Sequence, residues 1–335
     1  MDDLIFNRSV FNAHYNCGMY DVDSIPLAER RHIVHGSCML GIAVVLELIC
    51  GLCLYGISRP QHISSASYKL MFALELSEMV EIGVVGFAAP IFGILGKVYC
   101  SNPILSYVHG AAGVSIWYFE AQISVVLAFN RCIIMYDTNC ARRLFEGYKV
   151  FVYIFVAALL SLVMLCYGGP IIYSAAGGGF FFDPHIGYRP FDPYFFNKLH
   201  FIFNHIIPVA LILNYVIFGI LIYRQQKFGR RRQMIAQKEM SLFLQISIIC
   251  FLTVLSCIGY AYEGFFDEYK ALVTATAYAY LFYLGSPAFV YLLLNKSIRR
   301  AVANLMIRLV AGNYVVHPET DTHSTNKKNT KTDSH

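Results

Sequence analysis

Seven long apolar segments dominate the sequence and decide what the chain can fold into. Each has about 20 residues or more, the length that an α-helix needs to cross roughly 30 Å of hydrocarbon. None shows the strand-like alternation of a β-barrel, so the pattern predicts an all-α membrane protein, a seven-transmembrane helix bundle. The predicted segments are Ile33–Ile57, Tyr68–Leu95, Ile104–Met135, Val150–Tyr173, Leu199–Tyr223, Met240–Tyr262 and Ala271–Leu294.

Composition and charge agree with a bundle whose N-terminus lies outside the cell. Hydrophobic residues make up 57% of the chain and charged residues only 14%, too few for a water-soluble protein of this length. With the N-terminus outside, the external parts hold seven of the 26 Lys and Arg residues, and the cytoplasmic parts hold the other nineteen. An acidic start, Met1-Asp2-Asp3, predicts that no cleavable signal peptide is present. Asn7-Arg8-Ser9 is a glycosylation acceptor, which is useful only on the external side.

These segments divide the chain into four parts. We expect an extracellular N-terminus at 1–32, the membrane bundle at 33–294, an amphipathic cytoplasmic eighth helix at 295–311 and a disordered cytoplasmic tail at 312–335. The eighth helix is expected to lie on the inner leaflet through one apolar face, formed by Ile298, Val302, Leu305 and Leu309.

Two of the ten cysteines, Cys17 and Cys100, fall clearly in external segments. An oxidising exterior permits them to form a disulfide, which is the prediction made here. The alternative is a pair of free thiols, because spacing alone does not fix connectivity.

No constellation for catalysis is visible. The zinc-protease, phosphate-loop and nucleophile-elbow motifs are all missing from the sequence. His200 and His205 point in different directions on one helix, so they are interpreted as ordinary polar residues that line a cavity rather than as metal ligands. The seventh segment lacks the lysine that retinal proteins use. We therefore expect no enzymatic activity, no cofactor, no metal and no nucleic acid partner.

The charges deep within the apolar segments are all acidic: Glu47, Glu75, Glu78, Glu81 and Glu120. Such residues usually face a cavity or a partner in membrane proteins. Glu78 is expected near mid-membrane. One interpretation is a set of protonated carboxyls bonded to neighbouring helices, and the other is a bound Na⁺ or a proton-linked switch.

Aromatic and polar residues in three segments suggest a largely apolar pocket that opens to the outside. The alternative is that these aromatic residues only pack between helices. The candidate ligand contacts are Trp117, Glu120, Asn204, His205, Tyr278, Tyr280 and Tyr283.

Positive residues mark the cytoplasmic end. Asn130 and Arg131 lie near the inner end of the third segment, and Arg230, Arg231 and Arg232 are consecutive in the loop before the sixth. Arg131 is open to a simpler interpretation, in which it reaches toward lipid headgroups. The simple role of the arginine run is to fix the topology and to bind anionic lipid. A role in binding a partner protein would come in addition to this one.

Short stretches in a fixed order resemble the nematode serpentine chemoreceptors, class T, within the G-protein-coupled receptors. They are Tyr15–Cys17, Tyr68–Phe72, Val98–Pro103, Leu127–Cys132, Leu144–Gly147, Phe182–Pro184 and Tyr291–Arg299.

The resemblance implies a receptor in the plasma membrane of chemosensory neurons, in their cilia, that binds an external small molecule and activates a heterotrimeric G protein. Arg131 would meet the G protein when the sixth helix swings outward, while Pro287 and Tyr291 would let the seventh adjust. The alternative function is a ligand-gated channel or transporter. The fourth, sixth and seventh segments have no acidic or basic residue in their cores, which disfavours a polar pore.

Three positions depart from the usual receptor pattern. Asn130 replaces the acidic residue before Arg131, and Tyr291 lies one residue late after Pro287. The second external loop has no cysteine, so the resemblance implies that Cys100 pairs with Cys17 instead.

Overall fold

The computed structural model describes residues 2–227, 247–260 and 270–310. Within this part, six helices are long and apolar enough to cross a bilayer, and a seventh apolar helix is shorter. The chain is therefore a multi-pass membrane protein with a seven-helix bundle, as the sequence predicted. The membrane helices are α1 (Ile33–Ile57), α2 (Ala66–Leu95), α3 (Pro103–Tyr136), α4 (Lys149–Tyr167), α5 (Lys198–Lys227), α6 (Ser247–Tyr260) and α7 (Lys270–Leu294).

Most predicted segments match these helices within a few residues, but the prediction for the fourth was wrong at its end. It was expected to reach Tyr173, whereas α4 ends at Tyr167. Gly168, Gly169 and Pro170 follow, and proline both lacks an N–H donor and disfavours helical backbone before it. The predicted sixth segment, Met240–Tyr262, lies partly outside the described residues.

The chain after Pro170 forms a small hairpin instead of more helix. Strand β1 (Ile172–Ser174) pairs antiparallel with β2 (Gly179–Phe181), and Ile172 lies opposite Phe181. The backbone of Ala175 donates to the Lys97 carbonyl at 3.1 Å, which ties the hairpin to the connection between α2 and α3. The hairpin therefore closes one end of the bundle.

Helix α2 changes its winding halfway. Residues Ala66–Glu81 are α-helical, Ile82–Ala88 form a π-helical segment, and Ala89–Leu95 are α-helical again. Pro90 lies just beyond the π segment, where its missing N–H and bulky ring disturb regular α-helical bonding. Such π segments recur at functional sites.

Helix α3 is central and packs against α2, α4 and α5. Glycines let backbones approach closely in other parts of the bundle, as is common in membrane proteins. A Cβ on Gly36 would lie 2.9 Å from the Pro90 carbonyl, and one on Gly285 would lie 2.4 Å from Leu46. Helices α1, α2 and α7 are therefore in tight contact.

The N-terminal segment folds over the hairpin end of the bundle. A disulfide joins Cys17 to Cys100, 83 residues away, so the predicted pairing is present in the structure. Tyr15, Tyr99 and Phe195 pack beside it in an aromatic cluster. We call this end of the molecule the disulfide end. Its short helical pieces are Asp2–Ile5, Arg8–His14, Cys17–Met19, Val22–Ser24, Leu27–Arg30, Tyr99–Ser101 and Pro193–Phe195.

The other end carries two short helices, Pro60–Ile63 and Thr138–Phe145, and α8 (Lys296–Val310). In α8, Ile298 is fully buried against Gly56 of α1, while Arg299 and Arg300 are exposed. The helix is amphipathic, as expected. The predicted tail, 312–335, lies outside the described residues.

Candidate functional site

A cavity of about 40 Å³ lies inside the bundle, between α2, α3, α5, α6 and α7. Ile171 and Phe180 of the hairpin region close it toward the disulfide end. Gly110 of α3 makes this closure possible, because a Cβ there would lie 2.2 Å from the Ile171 carbonyl oxygen. The walls are mainly apolar and aromatic, as in most small-molecule sites.

Glu81 is placed in this cavity by the change of winding in α2. It is the last residue before the π segment, and it is buried at 2% exposure. Its Oε1 accepts a hydrogen bond from the Tyr280 hydroxyl at 3.3 Å. Within the described part of the chain, Oε2 has no partner. Opposite it, Gly113 of α3 has no side chain and so leaves room for the carboxyl group.

Two histidines add polar atoms to the same cavity. The Nε2 of His109 lies 3.0 Å from the Val84 carbonyl, which only accepts, so Nε2 carries the proton and Nδ1 is an acceptor. His200 contacts the Trp117 ring at 4.8 Å between centroids. Among the described residues, neither His109 Nδ1 nor either ring nitrogen of His200 has a hydrogen-bond partner.

A second cavity of about 230 Å³ lies between the first and the disulfide end. The two cavities share Ile171, Phe180, His200 and Tyr260 as wall residues. The outer one is rich in phenylalanine and is bordered by Asp183. The two form an inner and an outer chamber, with Phe180 and His200 between them.

A buried polar network fixes the loop that covers the outer chamber. Asp183 accepts the backbone N–H groups of His185 at 2.9 Å and Asp192 at 3.1 Å. Burial nevertheless raises the pKa of Asp183, and it lowers the pKa of His185. His185 Nε2 bonds the His14 carbonyl at 2.8 Å, and its Nδ1 lies 3.0 Å from the Tyr20 hydroxyl. The loop and the N-terminal segment are thus joined through hydrogen bonds of the His185 ring.

The predicted ligand contacts divide into two groups. Trp117, Asn204 and Tyr280 line the inner chamber. Tyr278 and His205 do not, because Tyr278 turns its hydroxyl toward the His35 carbonyl of α1 at 3.5 Å and His205 lies exposed on the outside of α5.

Glu120 and Tyr283 also lie outside the chamber lining, although both are buried. The chamber instead uses Glu81 and His109, which were not among the predicted ligand contacts, and His200, which was interpreted as a polar residue lining a cavity. The sequence feature that could have identified these residues was a histidine or glutamate within an apolar helix.

The model of the family described as serpentine type 7TM GPCR chemoreceptor Srt matches residues 4–313. The chain belongs to this family. The resemblance inferred from the sequence is therefore confirmed, and with it a chemoreceptor of the G-protein-coupled type, a class that is generally non-enzymatic. A search of curated proteins finds no match. The family match includes the N-terminal segment, both chambers and α8.

Below the inner chamber, the Srt receptor holds further buried carboxyl groups. Glu75, Glu78 and Glu120 are each at most 1% exposed. The thiols of Cys50 and Cys53 in α1 lie beside Glu75. Within the described ranges, no Lys or Arg pairs with these groups, and no cluster suited to a metal ion is found.

The end of the Srt receptor opposite the disulfide carries the predicted coupling residues. Asn130 is buried and accepts a hydrogen bond from Ser67 of α2 at 2.6 Å. Arg131 Nη2 lies 3.6 Å from the Met71 sulfur, and within the described residues it has no carboxylate at ion-pair distance. Arg230, Arg231 and Arg232 lie outside the described residues.

Helix α7 brings Pro287 and Tyr291 close to this end. Pro287 lies inside the helix, and the preceding Ser286 hydroxyl donates to the Tyr283 carbonyl at 2.9 Å. Tyr291 is buried, and it interacts electrostatically with Glu78 and Arg131. Tyr291 therefore links the acidic core with the arginine.

Proposed function

We propose that this receptor detects an external small molecule in its inner chamber and responds by activating a heterotrimeric G protein. The observation that carries the proposal is the chamber itself. It is largely apolar, and Glu81, His109, His200 and Asn204 each hold at least one buried polar atom that has no partner among the described residues. Buried polar atoms normally have partners, so a ligand that supplies them would be favoured.

The proposed orientation places the disulfide end outside the cell, in the plasma membrane. Three observations support it: the bias of Lys and Arg toward the other end, the Cys17–Cys100 disulfide, and the exposed glycosylation acceptor at Asn7. Residues 1–32 are then extracellular, while 295–311 and 312–335 are cytoplasmic. The family resemblance favours the cilia of chemosensory neurons.

In the proposed mechanism, the ligand changes contacts among α2, α3 and α7. Tyr280 bonds Glu81 in the chamber, and Tyr291 lies three turns further along α7, beyond Pro287. A small movement of α7 is thereby passed to Glu78 and Arg131, which form the switch. Asn130, Arg131 and the run Arg230–Arg232 are the proposed contacts for the G protein.

The test is ligand-induced nucleotide exchange on a G protein, screened with volatile and soluble compounds. An active compound should raise exchange in the wild type, and Arg131→Ala should remove most of that response because the proposed contact is lost. Arg189→Ala is the matched control, since Arg189 is exposed at the disulfide end. A ligand-gated current that persists without any G protein would contradict the proposal and support a channel.

A further inference from the structure

The inner chamber is asymmetric in charge. Among the described residues that line it, Glu81 is the only acidic side chain, and no Lys or Arg is present. A carboxylate buried without a cation is unfavourable in a dry site, and a neutral ligand would not remove that cost. A cationic ligand would remove that cost.

The polar atoms around Glu81 favour a ligand that donates hydrogen bonds. Oε2 of Glu81 accepts when the group is ionised, and Nδ1 of His109 accepts because Nε2 carries the proton. Val84 is close to both, since its carbonyl accepts from His109 and its side chain approaches Gly113, which faces Glu81. The two acceptors therefore lie about one helical turn apart along α3.

Aromatic rings surround the same position. Trp117, Tyr260 and Tyr280 line the chamber, and the Tyr260 and Tyr280 rings are 5.3 Å apart between centroids. Ring faces attract ammonium groups, more strongly where water is excluded. Toward the disulfide end the lining becomes apolar at Ile171 and Phe180.

From this arrangement we infer that the receptor's ligands are small protonated amines with an apolar tail. The ammonium donates to Glu81 Oε2 and His109 Nδ1 among the aromatic rings, and the tail extends toward Ile171 and Phe180. This inference rests on the proposed function, because it names the ligand class of the same chamber.

The experiment measures binding separately from signalling. The full-length receptor in lipid nanodiscs is titrated with 3-methylbutylamine and 2-phenylethylamine, and with the alcohols of the same shape, 3-methylbutanol and 2-phenylethanol. Binding is followed by the rise in melting temperature. We expect the amines to bind at least about tenfold more tightly than the alcohols, because hydrogen bonds to an ionised group are the stronger kind.

Variants test the role of the carboxylate. Glu81→Gln should remove the preference for amines, and Glu81→Asp should keep it because the charge remains. Glu47→Gln is the matched control, an intramembrane glutamate of α1 that does not line the chamber. If Glu81→Gln fails to fold, the wild-type comparison of amines with alcohols and the Glu81→Asp variant still decide the question.

Each outcome separates the two proposals. Equal binding of alcohols and amines, or no binding of any amine, overturns the amine inference. Tight, Glu81-dependent amine binding that produces no nucleotide exchange upholds the inference and contradicts the proposed G-protein coupling instead.

Discussion

Gly110 shows how one residue sets the shape of the inner chamber. A Cβ at this position would lie 2.2 Å from the Ile171 carbonyl oxygen. Because this oxygen belongs to the backbone, it cannot move aside by a change of rotamer. The whole hairpin region would have to shift instead. Such overpacking costs about 1–3 kcal/mol in close-packed proteins.

We therefore predict that Gly110→Ala weakens the response to an active ligand by roughly tenfold or more, through displacement of the chamber roof. The measurement is the ligand concentration for half-maximal nucleotide exchange, at matched cell-surface abundance. Gly41→Ala is the control, because a Cβ on Gly41 meets nothing within 4 Å. An unchanged response in Gly110→Ala would show that the roof is not needed.

At this scale the sequence identified part of the site. Trp117, Asn204 and Tyr280 were chosen as polar or aromatic residues of apolar segments, and they line the chamber. The spacing of the glutamates placed Glu78 and Glu81 on one side of α2. It did not show which of them reaches a cavity, because that depends on the π segment that begins after Glu81.

The π segment Ile82–Ala88 is the element that aims Glu81 into the bundle. We predict that inserting one alanine after Gly83, with the winding of the rest of α2 kept, turns Ala66–Glu81 by about 100° relative to Ala89–Leu95. Glu81 would leave the chamber, and the ligand response should be lost. Substitution to alanine at Gly83 is the control, since its Cβ meets nothing within 4 Å.

Both Gly83 variants are measured by nucleotide exchange, with cell-surface abundance as the check on folding. An insertion variant that reaches the surface and responds normally would show that the winding of α2 does not position the site. A loss of response in Gly83→Ala would point to the glycine itself.

Among the elements, the membrane helices were predictable and the hairpin was not. Length and hydropathy define the helices because lipid requires every backbone polar group to be bonded within the segment. The run Ile171–Tyr173 is as apolar as the end of α4, so hydropathy extended the helix through it. Its strand pairing with Phe180 and Phe181 depends on a turn and a partner, which local hydropathy does not report.

At the scale of the whole molecule, the proposed signal requires the two chain ends to lie on opposite sides of the membrane. We predict that an epitope tag at the N-terminus is accessible on intact cells, and that a tag at the C-terminus becomes accessible only after permeabilisation. The reason is the odd number of crossings together with the excess of Lys and Arg on the cytoplasmic side. Both tags accessible on intact cells would contradict the topology and the coupling proposal with it.

Phe180 and His200 are walls of both chambers, so a ligand from the outer chamber passes them on its way in and again on its way out. Ligand entry and ligand exit then cross the same energy barrier. Lowering it speeds association and dissociation by one factor and leaves the equilibrium constant unchanged. In such a receptor, the time for which a ligand stays bound can change while the lowest ligand concentration that the receptor detects stays the same.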